Sequence, residues 1–133
     1  SLAYIAGPVP LLSVYLPVLI VTAWIGGWLF FIQHQFEETY WEKNQSWNSQ
    51  EAALMGSSYY VLPKILQWFT GSIGLHHIHH LCSQIPNYKL QKCMDAKPEL
   101  GNINRMTIRD SLKCIRLRLW DEQNGRMVDI SGK

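Results

Sequence analysis

Across its first 36 residues this chain of 133 carries no Lys, Arg, Asp or Glu; all 12 basic and all 10 acidic side chains come after Phe36. Within that run, residues 9–31 are almost wholly apolar. A helix of ~23 residues at about 1.5 Å each is roughly 34 Å long, enough to cross the hydrocarbon of a bilayer. A soluble core helix is the alternative, and both the length and the complete lack of charge disfavour it. Pro17 predicts a kink, while Ala23, Gly26 and Gly27 leave a thin surface for a neighbouring helix. Because the basic residues all follow the span, the positive-inside rule places residues 32–133 in the cytoplasm. The chain begins at Ser1 with neither a basic leader nor a small-residue cleavage site, and reads as the C-terminal part of something longer.

Chemistry concentrates in five residues, His76-His77-Ile78-His79-His80, which hold four of the five histidines. Imidazole suits zinc, copper and iron. At roughly 100° per residue, His79 and His80 lie about 60° and 40° to either side of His76, so the three share one helix face, with His77 at about 100°, on its margin. Three rings on so narrow an arc can serve one metal or two close ones. Leu75 and Leu81 bracket the cluster, and Ile65, Leu66, Trp68, Phe69 and Ile73 precede it. This predicts a half-buried helix over about 63–81, with Gly71 and Gly74 a turn apart where another backbone or a substrate chain can approach. The fifth histidine, His34, stands where the apolar helix ends, and an ionisable residue at such a boundary is a site candidate. Glu37 and Glu38 follow at i+3 and i+4, placed either to orient that ring or to face water.

The rest of the chain is read from local signals. Asn48 with Glu51 has the outline of a helix cap, Gly56-Ser57-Ser58 should break that helix, and Pro63 suits the first turn of the next. Residues 85–88 read as an extended segment turning at Pro86 and Asn87. Thr107 and Asp110 outline a capping box ahead of Ile108, Leu112, Ile115 and Leu119 at helical spacing. Arg109, Lys113, Arg116 and Arg118 make this helix basic, suited to anionic lipid, to an acidic electron carrier, or simply to water. Asn124-Gly125 reads as a hairpin turn. A net charge of +2 gives no case for nucleic acid. Cys82, Cys93 and Cys114 are odd in number and form no C-x-x-C, so a reducing compartment is favoured over a disulfide framework. The expected fold class is an all-α membrane protein fragment: one transmembrane helix, cytoplasmic interfacial helices carrying the histidine box, and a small C-terminal helix plus a β-hairpin.

Four stretches, in order, carry a resemblance: Gln33-His34-Gln35-Phe36-Glu37-Glu38-Thr39-Tyr40-Trp41; Gly56-Ser57-Ser58-Tyr59-Tyr60 with Leu62-Pro63-Lys64; Gly74-Leu75-His76-His77-Ile78-His79-His80-Leu81; and Ile85-Pro86-Asn87-Tyr88. Together with Leu117-Arg118-Leu119-Trp120-Asp121-Glu122 they resemble the C-terminal third of a membrane fatty acid desaturase, most of all the bacterial and cyanobacterial acyl-lipid enzymes of the omega-6 (delta-12) kind. The resemblance implies an integral membrane protein with its catalytic side cytoplasmic and a non-haem centre of two iron ions held by histidines from three boxes. His76, His79 and His80 match the third box, and His34 matches a further metal-binding histidine at the end of the last membrane helix. His77, Glu37 and Glu38 are then candidates to support those ligands. The first two boxes, H-x-x-x-H and H-x-x-H-H, are absent, so this stretch alone is expected to be inactive. O2 is the implied co-substrate, a fatty acyl lipid the substrate, and ferredoxin or cytochrome b5 the electron donor. The competing readings are a hydroxylase or ketolase of the same histidine-box superfamily, or a membrane-anchored zinc-binding module.

Overall fold

The computed structural model describes residues 4–5, 7–43 and 46–132. The chain divides into two compact units, Ser1–Phe31 and Ile32–Lys133.

From Pro8 on, the first unit is one helix, whose last turn, from Ile32, belongs to the second unit. Helix α1, Pro8–His34, is long and apolar enough to cross a membrane, and none of its most apolar window is buried within the molecule. Its irregularity lies just ahead of Pro17, where Leu11–Tyr15 form a π-helical turn. Pro17 has no N–H to offer the carbonyl one turn back, and a widened turn absorbs that loss. Gly26 and Gly27 have open space around them.

The regular structure of the second unit is mostly helix. Helix α2, Ser49–Met55, opens at Asn48, whose side chain accepts from the backbone N–H of Gln50 and Glu51, and it stops at Gly56. Strand β1, Tyr59–Val61, follows. The single helix expected over 63–81 is instead three pieces: α3, Lys64–Phe69, a 3₁₀ turn, Ile73–Leu75, and α4, His76–Leu81. The break falls where Gly71 and Ser72 take positive φ of 62° and 61°, a left-handed excursion that no helix continues through. Gly71 and Gly74 therefore do not stack on one helix. Gly74 does meet another backbone closely, since a Cβ there would run into the carbonyl of Tyr60 and the side chain of Gln67.

Helix α5, Asn87–Ala96, starts where an extended segment is expected, with Pro86 as its N-cap residue in an extended conformation. Pro86 ends one element and Asn87 begins the next, so only the turn itself is extended. A 3₁₀ turn, Pro98–Asn102, leads to strand β2, Arg105–Thr107. Strand β2 pairs in parallel with β1, Tyr60 opposite Met106, a pairing absent from the all-α expectation.

Helix α6, Ile108–Cys114, carries the full capping box, Thr107 and Asp110 each holding the other's backbone N–H. It is shorter than its apolar spacing suggests. Leu119 lies in strand β3, Leu119–Asp121, which pairs antiparallel with β4, Arg126–Val128, across the Asn124-Gly125 turn. The hairpin is hooked to the segment after α1: Met127 N–H donates to the Glu37 carbonyl at 2.8 Å, and Arg126 pairs with the Glu37 carboxylate at 3.2 Å.

The core beneath α4 is Leu75, Ile78, Leu90 and Met94, with Tyr59, Ile85, Cys93 and Leu100 packed against it. Leu75 and Ile78 are completely buried, each contributing on the order of 1.5–3 kcal/mol. They flank His76 and His77, so the packing of two aliphatic side chains decides which way the histidines face.

Candidate metal centre

Helix α4 has only six residues, and its buried side is defined by His77 and Ile78. With those two turned inward, His76 and His80, one turn apart, face the other way. His34, the last residue of α1, meets them there. The three Nε2 atoms form a near-equilateral triangle: His34 to His80 3.1 Å, His34 to His76 3.3 Å, His76 to His80 3.0 Å. The rings stand nearly perpendicular in each pair, at 85°, 73° and 86°, so they approach one point from three directions.

Three imidazole nitrogens aimed at one spot repel unless a proton or a cation sits among them. Two nitrogens each about 2.1 Å from one ion and about 90° to 110° apart lie roughly 3.0 to 3.4 Å from each other, and the observed edges fall in that range. The electrostatics agree. Burial pulls the His76 pKa down to about 3, helped by the neighbouring rings of His80, His34, His79 and His77. Burial also lowers that of His80, with His34 and His79 adding to it. Neutral rings present lone pairs, the form a metal requires. The donor set and its geometry therefore fit a metal ion.

His79 is close but does not join the triangle. Its ring stacks beside that of His76, centroids 5.7 Å apart at 25°, and lies 6.2 Å from His80. His77 turns into the core: it is fully buried, its ring is 5.5 Å from Tyr59, and neither ring nitrogen makes a hydrogen bond among the described residues. Burial pushes its pKa down to about 4, and the backbone of Leu100 opposes this. Glu37 pairs with Arg126 at 3.2 Å, and Glu38 is exposed.

Two supporting groups escape a reading of spacing alone. Gln33, 1% exposed, donates from Nε2 to the Ile73 carbonyl at 2.6 Å, and buried Ser58 donates from its N–H to the Gln33 carbonyl at 3.0 Å. The available signal is that Gln33 is polar in the last turn of an apolar helix, where a buried amide needs a partner.

Residues 1–109 match the family described as fatty acid desaturase. The chain belongs to the fatty acid desaturase family. It is 45% identical over 114 residues to a "Fatty acid desaturase" of Bacillus subtilis (strain 168), covering 86% of this chain and 32% of that protein. It is 31% identical over 111 residues to the "sn-2 acyl-lipid omega-3 desaturase (ferredoxin), chloroplastic" of Helianthus annuus, covering 79% of this chain and 24% of that protein. It is 30% identical over 110 residues to the "Acyl-lipid omega-3 desaturase (cytochrome b5), endoplasmic reticulum" of Arabidopsis thaliana, covering 79% of this chain and 28% of that protein. The chain thus spans about a third of the length of the bacterial desaturase and about a quarter of the plant ones. No solved structure matches it.

Proposed function

We propose that this chain is the C-terminal part of an integral membrane fatty acid desaturase, residues 9–31 crossing the bilayer and residues 32–133 forming part of its cytoplasmic catalytic side. In this reading His34, His76 and His80 hold one iron of a two-iron centre, and His79, beside the triangle, serves the second. The observation that carries it is the convergence of three Nε2 atoms, within 3.3 Å of one another, from residues 42 and 46 positions apart in a desaturase-family chain. Four histidines cannot complete two ions, so the remaining ligands come from sequence outside this stretch, and the stretch alone is inactive.

Iron bound by nitrogen donors without thiolate would supply the O2 chemistry that unactivated methylenes demand. The residues here do the holding. Helix α1 brings His34 to the site, α4 presents His76 and His80 with neutral rings, and Leu75 and Ile78 fix the orientation of α4. The net reaction removes two hydrogens from adjacent methylenes of a fatty acyl lipid, leaving a cis double bond. O2 becomes two waters, with two electrons supplied by a donor and two protons taken up from solvent. The plant relatives' names carry ferredoxin and cytochrome b5, and a one-electron carrier of either kind fits that need.

The test is product and metal analysis of the full-length protein in lipid, supplied with an oleoyl lipid, iron, O2 and a reduced donor. A diene with O2 consumption and two irons per chain is expected. A hydroxylated product overturns desaturation in favour of oxygen insertion, and one zinc per chain with no O2 uptake overturns redox chemistry altogether. Conversion of a linoleoyl but not an oleoyl lipid would keep desaturation and overturn the omega-6 expectation.

A further inference from the structure

We infer that Gln33 is a positioning residue of the metal centre: its buried amide ties the last turn of α1 to the turn that opens the histidine helix, and so sets where His34 stands against His76 and His80. The inference rests on the metal reading proposed above.

His34 ends α1, and the last carbonyls of a helix have no partner within it. Three of them are taken up from one segment or the other nearby. The Ser58 N–H donates to the Gln33 carbonyl at 3.0 Å, Ser58 Oγ donates to the Ile32 carbonyl at 3.4 Å, and Thr39 Oγ1 donates to the His34 carbonyl at 3.2 Å. Ser58 is itself held, because Asn104 Nδ2 donates to the carbonyls of Met55 and Ser57 just before it. The backbone at His34 is thereby pinned on one side.

The Gln33 side chain pins it on the other. Its Nε2 donates to the carbonyl of Ile73, the residue that begins the 3₁₀ turn running directly into His76. This bond spans 40 residues and is part-buried, with Gln33 itself only 1% exposed. One residue on from Gln33 is a corner of the nitrogen triangle, and three residues on from Ile73 is another. The amide therefore fixes a distance between ligands that the packing of Leu75 and Ile78 alone leaves free to slide, and the triangle's 3.0–3.3 Å edges leave little room for sliding.

The experiment uses the full-length protein in detergent, with Gln33→Met, which keeps length and burial but has no donor, compared with His80→Gln and with Ser111→Ala. Ser111, in α6, makes a buried 3.1 Å contact with Tyr60 and donates to the Ile108 carbonyl at 2.8 Å, so its variant loses buried hydrogen bonding that involves none of the three triangle histidines. Three quantities are read: iron affinity by chelator competition, the absorption spectrum of the Co(II)-substituted protein, and thermal stability. Gln33→Met is expected to bind iron ~10-fold to 100-fold more weakly and to shift the Co(II) spectrum, while Ser111→Ala loses stability but keeps wild-type affinity and spectrum. Unchanged affinity and spectrum in Gln33→Met, with metal lost in His80→Gln, overturns the positioning role and leaves the metal reading standing. Unchanged metal binding in His80→Gln overturns the metal reading, and this inference with it. Should Gln33→Met fail to accumulate, Gln33→Asn, an amide one methylene too short to reach Ile73, is judged by the same outcomes.

Discussion

Four histidines within five positions have three different surroundings here, and that difference can be measured. His76 and His80 point at a shared centre with His34, His79 stacks alongside, and His77 is sealed in the core, where neither ring nitrogen has a well-aligned hydrogen-bond partner among the described residues. A buried polar group without partners is a cost rather than a contribution, about 1–3 kcal/mol. His77→Phe should therefore keep iron content and leave thermal stability equal or slightly higher, whereas His76→Gln and His80→Gln should lose iron and activity together. Equal iron loss in all three variants, measured by metal analysis of the full-length protein, would show that the assignment of the rings is wrong.

Among the elements, α6 shows how a seven-residue helix is held by its ends. Asp110 accepts from the Thr107 hydroxyl at 2.6 Å and from Lys113 Nζ at 2.9 Å, and these bonds, the Thr107 one foremost, pull its pKa from the usual 3.8 down to about 2. A carboxyl whose folded pKa is depressed contributes in full above its unfolded pKa, and the contribution is lost as pH falls through the folded value. The stability gap between wild type and Asp110→Asn should accordingly be constant above pH 3.8 and close between pH 3.8 and about 2, followed by circular dichroism. A gap that stays constant to pH 2 would mean the capping box does not hold α6 in solution.

For the whole molecule, the proposal of one membrane crossing followed by a cytoplasmic region makes the hairpin turn at Gly125 a reporter. The turn is exposed, and a Gly125→Cys variant in a background lacking the exposed Cys82 should react with a membrane-impermeant maleimide only after the cytoplasmic side is opened. Labelling of intact cells would overturn the proposed orientation while leaving the metal centre untouched.

What the sequence determined by itself is whatever depends on neighbours within a turn or two. The apolar length of α1, the Asn48 and Thr107/Asp110 caps and the Asn124-Gly125 hairpin are local, because their hydrogen bonds and periodicity close within a few residues. The histidine-rich composition was equally plain, and the order of motifs pointed to the family. Only the tertiary structure decided the rest. The parallel pairing of Tyr59–Val61 with Arg105–Thr107 joins segments 46 residues apart, and residues 63–81 break into three pieces because Gly71 and Ser72 must turn the chain so that Gly74 can lie against Tyr60. Helical spacing placed His76, His79 and His80 on one face, but which nitrogens meet depends on a partner from another helix. His34 reaches His76 and His80 through the packing of Leu75 and Ile78 and the Gln33 amide, interactions between distant segments that no local period encodes.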